Sequence, residues 1–264
     1  MRKLKAPEIM IPQEALKISR HVAEEVRKAI EPIAGRRSAG KDVGMGKDGT
    51  PTKLIDKVAE DAALRVLEEY EVTVVSEEAG VTGEGRTIVA MDPIDGTFNA
   101  TRGIPVYSLA LCFSSSQKLK DIFFSYVTNL ATGDEWYADS VAYKNGEKIR
   151  VSERDSVYCN AIMYYPTKDY GFRRVRIFGS AALEICFVAD GSVDCFIDIR
   201  DNGGRGMLRV YDIAASIYIA WKAGAVVSDD RGREVWDKRI TMDERFKLVI
   251  ANQTLHKRLL EILK

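Results

Sequence analysis

Two aspartates three residues apart, Asp92 and Asp95, follow an apolar run in the segment VAMDPIDGT, residues 89–97. The run predicts a buried strand, and strand ends in layered folds present side chains to a crevice. Pro93 and Gly96 predict a turn that points both carboxylates into the same space. Two neighbouring anions are unfavourable unless a cation neutralises them, and a hard divalent ion such as magnesium does so through oxygen ligands.

More carboxylates stand at comparable positions. The preceding strand-like run, VTVVSEE, ends in Glu77 and Glu78, and Asp212 lies at the predicted start of a helix. A lone aspartate there is commonly a helix cap, and that alternative is open for Asp212. Three or four carboxylates at neighbouring strand ends indicate instead a site for several metal ions. Two ions about 3.5–4 Å apart can hold a water nucleophile and a leaving oxygen on opposite sides of a phosphorus atom.

Other catalytic patterns fit the chain poorly. The segment GMGKDGT, residues 44–50, is not a P-loop, because Lys41 stands where the first glycine belongs and Lys47 is not followed by Ser or Thr. The two histidines, His21 and His256, fall on predicted amphipathic helices at opposite ends of the chain. They are poor candidates for a catalytic base, so carboxylate chemistry remains.

Composition limits the partners. Lys plus Arg and Asp plus Glu number 39 each, so the net charge is formally zero and we expect no nucleic-acid or membrane partner. Four cysteines, Cys112, Cys159, Cys186 and Cys195, form no C-x-x-C pair, which suits a reducing compartment. Whether Cys159 and Cys195 pair is open. Without a signal-like or membrane-length apolar run, we expect a soluble, cytoplasmic protein.

Hydrophobic periodicity predicts the elements that position these residues. Three- and four-residue apolar steps predict helices from Pro12 to about Pro32 and over residues 54–70, with a mobile Gly-rich loop between them. Strand-like runs and an Asn145-Gly146 turn then predict a largely antiparallel sheet, and strand–helix alternation follows. We expect a mixed α/β (α+β) chain with halves at residues 1–150 and 151–264 and the site between them.

Several segments together resemble the inositol monophosphatase family of magnesium-dependent, lithium-sensitive phosphatases. They are SEE at 76–78, MDPIDGT at 91–97, IFGSAA at 177–182, RVYDIAA at 209–215 and GTPTKLIDKVAED at 49–61. The chain is more narrowly similar to a dual-activity branch, common in archaea, that hydrolyses inositol-1-phosphate and fructose-1,6-bisphosphate. This resemblance implies a five-layer αβαβα sandwich, a homodimer and a hydrolase of carbohydrate metabolism that serves gluconeogenesis.

The resemblance also implies metal ligands. Glu77, Asp92 and the main-chain carbonyl of Ile94 would bind a first Mg²⁺. Asp92, Asp95 and Asp212 would bind a second, and Asp56 with Glu77 a third and weaker ion. Mn²⁺ is a possible substitute. The loop at residues 35–50 is expected to close over the site and to help position the third ion through Asp48 or its neighbours.

Catalytic roles follow from the same resemblance. The Thr97 hydroxyl, hydrogen-bonded to Asp56, would orient and help deprotonate the attacking water, with Glu77 as a further catalytic residue and no phospho-enzyme. The N–H groups of Gly96 and Thr97 would receive the phosphate beside Asp95.

A separate group of residues is expected on the substrate side. The residues expected there are Arg174, Arg176, Gly179, Ser180, Ala181 and Arg200. Guanidinium groups match phosphate oxygens in a bidentate fork, so the arginines would clamp the second phosphate of a bisphosphate; the alternative is a solvated basic stripe. Arg205 stands where animal members of the family have a glutamate that grips the inositol ring, so sugar recognition must differ.

Three alternatives are open. A haloacid-dehalogenase-type phosphatase would use an aspartate nucleophile in D-x-D-G-T, but here two residues separate the aspartates. The same fold could act on 3′-phosphoadenosine 5′-phosphate. A non-catalytic regulatory protein could hold metal only for stability, although the complete acidic set argues against that.

Overall fold

Helices and sheets alternate through the part of the chain that the structure, a computed structural model, describes: residues 10–47 and 49–264. The α-helices are α1 Pro12–Ile30, α2 Leu54–Leu67, α3 Thr97–Ala100, α4 Ala181–Ala189, α5 Val210–Lys222 and α6 Gln253–Ile262. Two short 3-10 helices cover Arg37–Gly40 and Leu119–Asp121.

The strands divide into two large sheets and two short ribbons. Strands β1 to β9 are Asp42–Met45, Pro51–Lys53, Val72–Ser76, Gly80–Thr82, Thr87–Asp95, Ser108–Ser114, Ile122–Asn129, Glu135–Ala138 and Ala142–Lys144. Strands β10 to β17 are Glu147–Lys148, Asn160–Met163, Arg174–Arg176, Cys195–Asp198, Leu208–Arg209, Val226–Ser228, Arg245–Phe246 and Leu248–Ala251.

The first large sheet has eight strands in the order β10-β9-β8-β7-β6-β5-β3-β4. Its pairs are antiparallel except β3 and β5, which run parallel and therefore end at the same edge. The second has five strands in the order β12-β11-β13-β17-β15, in which β12, β11 and β13 are parallel. Parallel neighbours bring the carboxyl ends of several strands to one side of each sheet, where side chains can converge.

Alternation along the strands defines the layers. In β5, Val89 and Met91 belong to the core formed with α1 and α2, whereas Ile88 and Ala90 belong to the core formed with α4 and α5. Helix α5 is almost wholly buried because it lies between the two sheets. Helix α6 covers the outer face of the five-stranded sheet. The layers therefore run helix, sheet, helix, sheet, helix, which confirms the αβαβα prediction.

Several sequence predictions required correction. Strand β5 does not turn after Asp92 but continues to Asp95 through a bulge, because Asp92 pairs with Ala110 and Asp95 with Ser108. Asp95 is three residues after Asp92 on β5, whereas their partners on β6 are only two residues apart, so β5 contains one extra residue. Pro93, which has no N–H to donate, lies in this bulge. The bulge, not a turn, separates the two aspartates.

The segment predicted as a loop between the first two helices is also structured. It contains the 3-10 helix Arg37–Gly40 and strand β1, which pairs with β2. Asp48, expected to help with a third ion, lies outside the described residues. Hydrogen bonds from this ribbon, including Lys47 N–H to the Glu78 carbonyl, connect it to the end of β3.

Other features agree with the predicted pattern. Asn145 and Gly146 both have positive φ, as the predicted hairpin turn requires. The large sheets lie on either side of residue 150 in the sequence, and the division of the chain into halves there stays a prediction.

The buried thiols of Cys159 and Cys195 are 3.9 Å apart. No helix in the described ranges is long and apolar enough to cross a bilayer.

Candidate active site

Asp92 lies at the centre of the acidic residues. It is only 4% exposed, on the bulge of β5, and its Oδ1 accepts the Ile94 N–H at 3.0 Å. Burial raises the pKa of Asp92 well above its ordinary value, and four nearby negative charges raise it further. Those neighbours are Asp95, Glu77, Asp212 and Asp56. The structure therefore brings the predicted acidic ligands within electrostatic range of Asp92, although they are spread over 157 residues of chain from Asp56 to Asp212.

Asp95 is fixed by the second half of the chain. Its Oδ2 accepts the Ser180 hydroxyl and the Ala182 N–H, both at 2.7 Å, at the start of α4. The carboxylate thus caps a helix to which it does not belong, an electrostatically favourable position. Burial nevertheless raises the pKa of Asp95 to about 6, against these hydrogen bonds. Both of these contacts fall on the same carboxylate oxygen.

Asp56 and Asp212 have matching positions in their own helices. Each is the third residue of its helix and accepts a backbone N–H from three residues earlier, that of Lys53 at 3.3 Å and of Arg209 at 2.7 Å. Burial raises the pKa of both to about 7. The cap considered as an alternative for Asp212 is therefore present, but the same side chain also acts electrostatically on Asp92 and Asp95.

Thr97 joins Asp56 to the end of β5. Its hydroxyl donates to Asp56 Oδ1 at 2.8 Å and lies 3.3 Å from the Ile94 carbonyl oxygen. Gly96, which precedes it, has φ +97°, and a Cβ there would lie 3.0 Å from the Val106 carbonyl and 3.1 Å from that of Gly179. Only glycine suits this close approach of three backbone segments.

The turn after β3 carries Glu77 and Glu78. Buried Glu60, one helical turn after Asp56, accepts the Ser76 hydroxyl at 2.6 Å and the Ala79 N–H at 3.0 Å. These contacts hold the turn from both ends. The Thr52 hydroxyl of the β1–β2 ribbon donates to Glu78, so this ribbon is bonded to the edge of the acidic cluster.

A cavity of about 670 Å³ opens beside the cluster. Its walls include Asp56, Glu77, Glu78 and Thr97, with Arg37, Lys53 and Arg102 among the basic residues. A slightly larger cavity, about 750 Å³, lies at the opposite ends of β3 and β5, near Val72 and Thr87. We assign the chemistry to the smaller cavity because Asp56, Glu77 and Thr97 line it.

The donor chemistry suits hard divalent cations. Carboxylate oxygens and the Ile94 carbonyl are the ligand types that Mg²⁺ prefers, and burial, which raises the pKa values of Asp92 and Asp212, favours a cation beside them. Within the described ranges, no three or more Asp, Glu, His or Cys side chains are so placed that together they could hold a metal ion as they stand. The acidic residues supply oxygen donors of the right chemical type, and three of them are tied to helix N-termini, but they are not preassembled into a metal cage.

The predicted substrate-side residues divide into two groups. Gly179, Ser180 and Ala181 lie directly against the cluster through the Ser180–Asp95 hydrogen bond. Arg174 and Arg176 are exposed on edge strand β12, and Arg176 donates to the adjacent Val175 carbonyl. Their role stays a prediction.

Arg200 has a defined position. Its guanidinium forms a fork on Asp198, a fully buried carboxylate, with Nε 2.9 Å from Oδ1 and Nη2 2.5 Å from Oδ2. The same group lies 4.4 Å from the centre of the Tyr164 ring, whose hydroxyl bonds Glu184. The Tyr164 ring therefore lies between Arg200 and Glu184. Two of the Arg200 N–H groups already donate to Asp198.

Sequence reasoning missed the residues that hold the site together. Asn99 donates to the Val106 and Phe178 carbonyls, both at 2.7 Å, and fixes two loops around Gly96. Glu184 is fully buried in α4 and accepts from Tyr164 and from two backbone N–H groups. A signal for Glu184 existed: it is the only charged residue in the otherwise apolar segment AALEICFVA.

Comparison with known proteins identifies the family. The sequence profile of the inositol monophosphatase family matches residues 12–264. The chain belongs to the inositol monophosphatase family. It is 60% identical over 256 residues, 97% of this chain and 100% of the relative, to a fructose-1,6-bisphosphatase/inositol-1-monophosphatase of Archaeoglobus fulgidus. A protein of the same description from Methanothermobacter thermautotrophicus is 39% identical, with 92% of this chain and 94% of the relative covered.

A solved structure supports the same family fold. The crystal structure of an inositol monophosphatase-fructose 1,6 bisphosphatase superposes with a TM-score of 0.82 at 33% identity, covering 94% of this chain and 97% of that one. Family members are phosphatases and are generally metal-dependent. The predicted family and the hydrolase class are thereby confirmed, and the individual site residues stay predictions.

The carboxylate cluster predicts how stability depends on pH. Unfolded aspartates have pKa values near 4, whereas those of Asp56 and Asp212 in the folded protein are about 7. The folded state therefore binds more protons between pH 4 and 7, so the free energy of unfolding should fall as pH rises through this window. Between pH 5 and 7.5 in EDTA, we expect the free energy of unfolding to fall by on the order of a few kcal/mol. The melting temperature should therefore drop by several degrees. Mg²⁺ at pH 7.5 should restore it.

Calorimetry on two variants checks the cause. Asp212→Asn should flatten the pH dependence of the metal-free protein. Asp237→Asn, which removes a surface carboxylate paired with Lys120, should not. An unchanged slope in Asp212→Asn would contradict the assignment.

Proposed function

We propose that this chain is a Mg²⁺-dependent phosphate-monoester hydrolase that acts on fructose-1,6-bisphosphate and inositol-1-phosphate. The observation that carries the proposal is the convergence of four carboxylates on Asp92 next to the Thr97–Asp56 hydrogen bond. Such a cluster needs cations, and the adjacent hydroxyl–carboxylate pair can handle a proton. The names of the 60% and 39% identical relatives support both substrates.

The metal assignment follows the predicted ligands. Glu77, Asp92 and the Ile94 carbonyl would hold one ion; Asp92, Asp95 and Asp212 a second; Asp56 with Glu77 a third. Bound Mg²⁺, or Mn²⁺ in its place, would neutralise the cluster, lower the pKa of water and stabilise charge on the phosphate and leaving oxygens. The positions of Asp95 and Asp212 support this, because the helix caps described above hold both carboxylates within electrostatic range of Asp92.

Water activation would depend on Thr97 and Asp56. The Thr97 hydroxyl donates its hydrogen to Asp56, which leaves its oxygen lone pairs to accept a hydrogen bond from an attacking water. As the water loses its proton to Thr97, the hydroxyl proton can pass to Asp56. Asp56 is within hydrogen-bond reach of the group it would deprotonate, as a general base must be. No covalent phospho-enzyme is required.

The substrate would lie between the two halves of the site. Backbone N–H groups of Gly96 and Thr97 are proposed to receive the scissile phosphate, with Ser180 and Asp95 beside it. Arg200, at the Tyr164 ring, is the arginine best supported as a contact for a second phosphate, with Arg174 and Arg176 as further candidates. A homodimer and a cytoplasmic location belong to the same proposal and rest on family resemblance.

Phosphate release tests the proposal directly. The wild type should release phosphate from both substrates with Mg²⁺ and from neither with EDTA. Asp95→Asn should abolish turnover because it weakens the second metal, and Thr97→Ala should lower kcat by about 10²–10³ because the proton path is lost.

Thr132→Ala is a matched control, since it removes an exposed Thr–Asp hydrogen bond of the same length, 2.8 Å, elsewhere in the protein. It should leave kcat unchanged. If neither sugar phosphate is hydrolysed and 3′-phosphoadenosine 5′-phosphate is, the substrate assignment fails. If no phosphate ester is hydrolysed, the regulatory alternative is favoured.

The role of Arg200 predicts a difference between substrates. Arg200→Lys keeps a positive charge for buried Asp198 but loses the fork, so kcat/KM should fall about tenfold more for the bisphosphate than for inositol-1-phosphate. The exposed Arg174→Ala and Arg176→Ala variants, measured in parallel, show whether edge strand β12 contributes. Equal losses on the two substrates would remove Arg200 from the second-phosphate contact.

A further inference from the structure

Glu184 is a buried carboxylate with no place in the metal or water chemistry. It lies in the first turns of α4, is fully buried, and is surrounded by apolar residues of its own helix. One oxygen, Oε1, accepts the N–H groups of Phe178 and, at 3.1 Å, Gly179; the other, Oε2, accepts the Tyr164 hydroxyl at 2.6 Å. Burying a carboxylate is costly unless it is fully hydrogen-bonded, so its position here calls for a role.

The two N–H groups it accepts belong to the turn that carries Ser180. The Phe178 carbonyl of this turn accepts the Asn99 side chain at 2.7 Å, so the turn is bonded from both sides. Gly179 has φ +83°, and its carbonyl lies against Gly96 so closely that a Cβ on Gly96 would be 3.1 Å away. The turn is therefore packed directly on the backbone that leads from Asp95 to Thr97.

Ser180 transmits the position of this turn to Asp95. Its hydroxyl and the Ala182 N–H both donate to Asp95 Oδ2 at 2.7 Å, and Ser108 Oγ lies 3.2 Å from the Ser180 hydroxyl oxygen. A displacement of the turn would move these donors relative to the bulge of β5. The carboxylate of Asp95 would then change its orientation toward Asp92.

We infer that Glu184 is a positioning residue: by accepting the Phe178 and Gly179 N–H groups it fixes the turn whose Ser180 orients Asp95 for metal binding. Through Tyr164, whose ring lies under the Arg200 guanidinium, the same carboxylate joins the substrate side to the metal ligand. The inference rests on the proposed metal role of Asp95, and it assigns a function to a residue that touches neither metal nor substrate.

Titration calorimetry of the metal-free protein with Mn²⁺ tests this without requiring catalysis. Glu184→Ala should weaken Mn²⁺ binding at the site that contains Asp95 by about tenfold, because two backbone donors lose their acceptor and the turn is released. Glu184→Gln should bind within about threefold of wild type, since the amide oxygen can accept the same two N–H groups and the amide N–H₂ can donate to the Tyr164 oxygen.

Asp194→Ala is the matched control. Asp194 is also a buried carboxylate of the C-terminal half and accepts a side-chain hydroxyl, that of Ser152, and a backbone N–H, that of Asn160. Its loss should lower the melting temperature but leave Mn²⁺ affinity unchanged. Unaltered Mn²⁺ binding by a folded Glu184→Ala, failure of Glu184→Gln to restore it, or equal weakening in Asp194→Ala would each overturn the inference.

Phosphate release from both substrates gives the second readout. In Glu184→Ala, kcat should fall by a similar factor for inositol-1-phosphate and fructose-1,6-bisphosphate, with added Mn²⁺ restoring part of the loss. Should the wild type bind Mn²⁺ yet hydrolyse neither ester, the proposed function fails while the inference about Glu184 can still be judged from the titration.

Discussion

Mutual repulsion among buried carboxylates is the constraint on which the rest of the structure depends. Asp92 lies in the interior within electrostatic range of four other acidic side chains. Burial raises the pKa values of Asp92, Asp95 and Asp212, and repulsion by neighbouring charges raises those of Asp92 and Asp212 further. A fold optimised for stability alone would not gather these charges. Divalent cations bound at the site would explain why these charges are close together. The metal-free protein would then be less stable, and the same charges would bind cations strongly.

The fold holds this arrangement with backbone dipoles. Asp56 and Asp212 accept N–H groups at the starts of their own helices, and Asp95 does the same at the start of α4. Each carboxylate is thereby placed where a helix N-terminus favours negative charge, which partly offsets the repulsion. Because α2 lies on one face of the eight-stranded sheet and α4 and α5 lie on its other face, between the two sheets, the site also connects these two helical layers.

Much of this could be predicted from sequence, and the exceptions have physical causes. The acidic cluster around Asp92 could be predicted because metal chemistry favours Asp and Glu in short segments such as SEE and DPIDGT. The bulge at Asp92 could not be predicted, because a register shift depends on how β5 pairs with the strand Ser108–Ser114. Sequence periodicity does not specify that pairing. Tertiary contacts likewise decide the roles of Glu60 and Glu184, which hold turns distant in sequence. Exposed arginines such as Arg176 have no packing that would fix their role in advance.

Location of the bound metal is the most direct test of the central claim. Crystals grown or soaked with Mn²⁺ would be measured at a wavelength where manganese scatters anomalously. Two or three anomalous peaks, each within about 2.0–2.3 Å of oxygens from Asp92 and its acidic neighbours, are the predicted result. Catalytically active crystals without anomalous density at Asp92, or with manganese bound only elsewhere, would contradict the account.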